Sequence, residues 1–186
     1  MKKTTILLSA LLVVLLGVAG PMDVPFRGGG GLAAGAVRVP GVSEWAMGVC
    51  LDGTTLYVVA GGVLSAFDVR EPLKPKLLGQ LPGMDNNRQV VAQDGFVYVV
   101  SRETGMRIID ARDPKNMRLR SRYDSVEFAT GIDVVGKTAF LSERIYGVEV
   151  VDVSDPDNPA HVCIRKTGES QSNRYRAGHL YSGERR

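Results

Sequence analysis

The chain has 186 residues, with 23 Lys and Arg against 20 Asp and Glu, for a formal charge of +3. Lys2 and Lys3 supply most of that excess, and the remainder is close to neutral. It therefore offers no electrostatic case for a nucleic-acid or membrane-surface partner.

Taken in chain order, residues 1–20 read MKKTTILLSALLVVLLGVAG, a basic start followed by the apolar run Ile6–Ala19. This is the pattern of a secretory signal peptide, and the run is short of the about 20 apolar residues that a membrane span needs. Pro21 after Gly20 is an awkward first residue for a mature chain, so an uncleaved N-terminal anchor is the alternative. Any membrane association is expected only through that anchor. Residues 21–40 form a linker with four consecutive glycines, Gly28–Gly31. No Lys-Ser or Lys-Thr pair follows them, so the segment reads as a flexible tether rather than a phosphate loop. The expected location is outside the cytoplasm: periplasmic, extracellular or on the cell surface.

Residues 41–186 are repetitive. An Asp ending a short apolar run returns every 42 residues, at Asp68, Asp110 and Asp152, and opens the turns DVREPLKP, DARDPKNM and DVSDPDNP. Repetition at this period means stacked copies of one supersecondary unit. The copies run over 41–83, 84–125 and 126–168, and a partial fourth occupies 169–186. In each, a first segment (MGVCL, RQVVA, GIDVV, SNRYR) precedes a small turn and then an aromatic-centred run (LYVV, VYVV, AFLS, LYS). A polar loop, the Asp-terminated run and a mixed run complete the unit. The runs are short, rich in Val, Ile, Tyr and Phe, and bounded by Gly, Asp or Pro, which are strand signals; no window sustains a helical period. The fold class predicted is all-β: propeller blades of four antiparallel strands, about three complete blades plus a partial fourth. Alternation places Arg107 opposite Met106 and Ile108, Glu149 opposite Val148 and Val150, and Arg118, Arg120 and Arg122 together on one face of an outer strand.

GMRIIDARDPKNM and GVEVVDVSDPDNP resemble the LVIVD repeat, a bacterial and archaeal blade motif, over roughly residues 41–186. The first copy departs from it, with VLSAFD at the third strand and a loop one residue shorter at Gly61-Gly62. The resemblance implies a propeller in an exported or cell-surface protein and implies no activity. Closed propellers have about 4–8 blades, so the repeat region reads as an incomplete ring. It is expected to belong to a longer repeat protein or to be completed by self-association, with residues 169–186 poorly ordered or unusually paired.

Asp152, Asp155, Asp157 and Asn158 could be read as a calcium loop, but they lack the Gly and distal Glu of an EF-hand. Asp side chains that bond backbone N–H groups just ahead, beside Pro156 and Pro159, account for them as a strand-ending turn. His161 and Cys163, two apart, would share a strand face, with no third metal ligand nearby. Cys50 and Cys163 are either buried thiols or a disulfide. No cofactor or metal is expected.

In a propeller, the loops entering the inner strands and those joining second to third strands share one face, with the Asp-Pro turns on the other; here that face is built from Glu44-Trp45, Asp85–Arg88, Glu127-Phe128 and Gln171-Ser172, with Arg102-Glu103 and Glu143-Arg144-Tyr146. Binding residues concentrate on such loops. Candidates there are Trp45, Asp85, Asn87, Arg88, Arg102, Glu103, Glu143, Arg144 and Tyr146. The expected function is a non-catalytic scaffold that binds a protein or glycan through that face. The alternative is a hydrolase or metal-dependent enzyme acting in the central channel. His161 and His179 are the only histidines and do not assemble into a nucleophilic triad with Ser and an acid.

Overall fold

The computed structural model describes Val42 and residues 46–185; the expected signal peptide, the linker and Trp45 lie outside the described residues. Three four-stranded antiparallel sheets follow one another along the chain. The first holds β1 (Ala46–Asp52), β2 (Thr55–Ala60), β3 (Val63–Asp68) and β4 (Lys76–Pro82). The second holds β5 (Asn87–Gln93), β6 (Phe96–Ser101), β7 (Gly105–Asp110) and β8 (Arg118–Tyr123). The third holds β9 (Gly131–Val135), β10 (Thr138–Ser142), β11 (Val148–Asp152) and β12 (Ala160–Arg165). A hairpin of β13 (Glu169–Arg176) and β14 (His179–Arg185) comes last. The described residues contain no helix. Among the described residues these are three propeller blades and a partial fourth.

Strands pair in sequence order within each sheet, and the first strands lie side by side from sheet to sheet, β1 by β5, β5 by β9 and β9 by β13. Glycine makes the approach close at two of these seams. A Cβ on Gly48 would lie 3.0 Å from Cα of Gln89, and one on Gly131 would lie 3.0 Å from Cα of Ser172.

Alternation decides the packing. In β6, Val97 and Val99 turn toward the first blade and join Tyr57, Val59, Leu64 and Ala66. Tyr98 and Val100 turn the other way and meet Ile132, Ala139, Leu141 and Val151 of the third blade. Both faces of the middle sheet are therefore core, which explains its unbroken apolar runs. Fully burying one such Val or Leu is worth roughly 1.5–3 kcal/mol.

The seam between the third blade and the hairpin is more polar. Asn173 Nδ2 donates to the Phe140 carbonyl at 3.0 Å and to Ser142 Oγ at 2.8 Å. The Asp133 carboxylate accepts from the Tyr175 backbone at 2.7 Å and from Arg174 at 3.1 Å. The Phe140 and Tyr175 rings stack at 5.0 Å with 7° between their planes. Hydrogen bonds and ring stacking on the third blade thus accompany the pairing of β13 with β14.

A β-bulge recurs between the third and fourth strands of every complete blade, after Ala66, Ile108 and Val150. It leaves Leu78, Arg120 and Val162 without a direct partner, again 42 residues apart. An extra residue in a strand reverses the alternation beyond it. Arg118 stands opposite Asp110 and Arg122 opposite Arg107, so the three arginines do not share a face. Likewise His161 stands opposite Val151 and Cys163 opposite Val150, which places them on different faces. His161 instead approaches Glu149, Nδ1 to Oε1 at 2.7 Å. Cys50 and Cys163 are both free thiols, and burial raises the pKa of Cys50.

Candidate functional site

Antiparallel order gives the propeller two ends. At one, the Asp-Pro turns meet the turns joining first to second strands, through Val69 N–H to Thr54 O, Ala111 N–H to Gly95 O and Val153 N–H to Lys137 O. Here the carboxylates are committed to their own turns. Asp110 Oδ1 accepts from the Arg112 backbone at 3.2 Å, Asp152 Oδ1 from the Ser154 backbone at 2.8 Å, and Asp155 Oδ1 from the Asp157 backbone at 2.9 Å. Asp157 forms an ion pair with Arg120. Hydrogen bonds from the Arg70 side chain and backbone pull Asp68 down to about 2. These are turn-forming carboxylates, and among the described residues no group of acids, His and Cys is arranged to hold a metal.

The other end carries the candidate site. The loops between second and third strands meet the segments that enter each first strand, through Met84 N–H to Gly62 O, Arg102 N–H to Asn86 O and Thr130 N–H to Ser142 O. The repeat sets Arg102 and Arg144 at the same loop position in successive blades, and Phe128 lies between them. The Arg102 and Arg144 guanidinium carbons stand 5.4 and 5.7 Å from the Phe128 ring centroid. Such contacts hold guanidinium groups over an aromatic ring through its quadrupole. The ring remains 38% exposed, with Val126 at 44%, Tyr146 at 45% and Ile145 at 67%. The loops at the seam between the second and third blades thus expose apolar side chains beside two cations.

Polar groups support these loops from below. Glu149 is fully buried; it accepts from the Tyr123 hydroxyl at 2.6 Å and from the Val126 backbone at 3.2 Å. That fixes the segment carrying Val126 and Phe128. Glu143 is also fully buried; its Oε2 accepts from the Glu127 backbone at 3.1 Å, and its Oε1 has no protein partner. Burial first, and then the charge of Glu149, raise Glu143 to about 8. Arg144 lies 3.7 Å from Glu127 and 3.9 Å from Glu169.

A second cluster serves the seam between the first and second blades. Arg107 is buried and donates to Ser101 Oγ at 2.9 Å and Thr104 Oγ1 at 2.8 Å, with an ion pair to Asp85. Asp85 is half exposed and holds a positive φ of 47°. Asp85→Ala is expected to cost about 1–3 kcal/mol, less than for a fully buried pair because water reaches the carboxylate. The shift in urea midpoint measures it, and no shift would mean that Ser101 and Thr104 suffice for Arg107.

The candidates from sequence thus divide. Arg102 and Arg144 come together over Phe128, and Tyr146 is exposed in the loop that carries Arg144. Asp85 is engaged with Arg107, Glu103 accepts from the Asn86 amide at 3.1 Å, and Arg88 occupies a bulge in β5. Two expectations are corrected. Asn87 is buried, donating from Nδ2 to the Asp85 carbonyl at 3.3 Å, and Glu143 is buried beneath the loop; both brace the face rather than present themselves on it. Sequence places Phe128 on this face without marking it as a binding residue, and does not single out Val126 or Ile145. Their signal in sequence was apolar residues inside segments otherwise polar and outside every strand.

The profile of the LVIVD repeat matches residues 86–125 and 128–167. The second and third blades are LVIVD repeats. The match covers the second and third blades and not the first, where the third strand and the Gly61-Gly62 turn depart from the pattern. No curated protein matches the chain. Among solved structures it is similar to the computationally designed Ika4 protein, with TM-score 0.65 and 11% identity over 82% of this chain and 93% of that one. Sqt1 of Saccharomyces cerevisiae gives TM-score 0.59 at 11% identity, over 70% of this chain and 38% of its own. A functionally unknown protein from Desulfotomaculum acetoxidans DSM 771 gives TM-score 0.58 at 14% identity, over 69% and 44%. The chain thus spans less than half the length of the last two. At these identities the likeness concerns the fold.

Proposed function

We propose that this chain is an exported, non-catalytic scaffold that binds a protein or glycan ligand through its loop face, at the seam between the second and third blades. The observation that carries the reading is the exposed Phe128 ring with Arg102 and Arg144 over it, in loops that also expose Ile145 and Tyr146. Aromatic and Arg side chains dominate binding energy at interfaces because they offer large contact area with little entropy to lose. Export rests on the basic start and apolar run of residues 1–20. Among the described residues, the acid at this end whose pKa is strongly raised, Glu143, is fully buried and meets no substrate from there, which counts against catalysis at this seam.

The test compares the wild-type chain with a Phe128→Ala, Tyr146→Ala double variant on peptide and glycan arrays. The expected result is binding by the wild type and a loss of about tenfold or more in the variant, with the thermal midpoint little changed because both residues are exposed. Binding that ignores the double substitution would refute the reading.

A further inference from the structure

The two repeat-related arginines at the seam are not in the same electrostatic state. Arg144 stands near two carboxylates, Glu127 at 3.7 Å and Glu169 at 3.9 Å. Arg102, one repeat earlier, is in ion-pair reach of no carboxylate among the described residues. Its neighbour Glu103 receives the Asn86 amide instead, at 3.1 Å. The Phe128 ring and the Arg102 backbone N–H, bonded to the Asn86 carbonyl at 3.0 Å, fix where this cation sits. Among the described residues, Arg102 is thus an uncompensated, positioned guanidinium over the exposed Phe128 ring, in a set of loops that also exposes Val126, Ile145 and Tyr146.

Taking the loop face as the recognition surface, we infer that its ligand is a protein segment in which an Asp or Glu stands beside a bulky apolar residue. The carboxylate would meet Arg102, whose planar fork suits two parallel hydrogen bonds to one carboxylate. The apolar side chain would cover Ile145 and Tyr146, removing exposed apolar area from water. A sugar fits this surface less well. Carbohydrate stacking needs a free aromatic face, and with guanidinium groups over the Phe128 ring only the Tyr146 ring, among the described residues, could offer one here. A neutral apolar peptide would leave Arg102 desolvated without a partner, which is costly for a charge.

The test is selection of random displayed peptides on the full-length chain, followed by affinity measurement on the wild type, Arg102→Met and Phe128→Ala. The expected peptides carry Asp or Glu within two residues of Leu, Ile, Phe or Trp. They should lose roughly tenfold or more in affinity on Arg102→Met, and weaken as salt is raised. Peptides that depend on Phe128 but carry no acid and ignore Arg102→Met overturn the inference and leave the loop face as the recognition surface. No enrichment, or peptides indifferent to both substitutions, overturns the two together. A polyuronate oligosaccharide that binds more tightly than every selected peptide, and needs Arg102, identifies an acidic glycan and also overturns the inference.

Discussion

Gly147→Ala and Gly105→Ala are each expected to destabilise the chain by more than about 3 kcal/mol, among the largest effects available to a single methyl group. The two glycines occupy one repeat position, at the close of the loop between second and third strands. Their φ values are +95° and +65°, which a residue with Cβ adopts at a cost of about 1–3 kcal/mol. Strain is the smaller part. A Cβ on Gly147 would collide with the Arg165 carbonyl oxygen and lie 2.7 Å from the Thr167 nitrogen. One on Gly105 would collide with the Tyr123 carbonyl oxygen and lie 2.7 Å from the Ser125 nitrogen. These obstacles are backbone, so no rotamer change relieves them. Gly136→Ala is the control: its φ is +59° with nothing within 4 Å of the added Cβ, and a cost of only about 1 kcal/mol is expected. Urea midpoints separate the cases. Equal midpoints for Gly136→Ala and Gly147→Ala would show that the loop closes in some other way. The effect also reaches function, because Glu143 N–H bonds the Gly147 carbonyl at 2.8 Å in the loop that carries Arg144 and Tyr146.

Glu143→Gln is expected to remove a pH dependence of stability between about pH 4.5 and pH 8, the ordinary and folded-state values of the Glu143 carboxyl. The folded state keeps the proton through this window while the unfolded chain has lost it. The native state then binds more protons, so stability falls as pH rises; it is level below the window and again above it. A tenfold change in proton affinity between the two states is worth about 1.4 kcal/mol, so the full span is on the order of 3 kcal/mol after allowance for relaxation around the ionised group. The groups facing Glu143 favour this direction: burial raises its pKa most, Glu149 and Glu127 add negative charge, and the Glu127 backbone and Ser125 hydrogen bonds only partly oppose them. The amide that Glu143→Gln introduces does not ionise. The variant should match the wild type near pH 4.5 and exceed it increasingly up to about pH 8, with the difference constant above that. Parallel stability curves for the two proteins would mean that Glu143 titrates normally. At the acid end the slope has the opposite sign. Asp68, lowered to about 2, contributes stability that is present above its ordinary value of 3.8 and is lost as pH falls through 2.

The repeat was legible because one motif carries three constraints at once. The apolar run must pair as a third strand, its Asp must bond the N–H groups of the turn, and Pro must follow where no donor is required. Asp68, Asp110 and Asp152 all do this at the same place in successive blades. What alternation alone missed was set by neighbours in space. Arg107 and Glu149 read as residues opposite an apolar face, and they are buried because a blade inside a propeller packs on both sides. The bulges at Leu78, Arg120 and Val162 add a residue without any composition cue, so simple alternation assigns the faces of the fourth strands wrongly. The site was legible in part. Period located Arg102 and Arg144, but Phe128 gains significance only when the propeller brings the loops of two blades to either side of it.

The recognition face is tested most directly by amide hydrogen exchange of the full-length chain, with and without a saturating peptide selected on it. Slowed exchange is predicted at residues 102–104, 126–128 and 144–147. Slowing confined to residues 111–116 and 153–158, in the Asp-Pro turns at the opposite end, would contradict it.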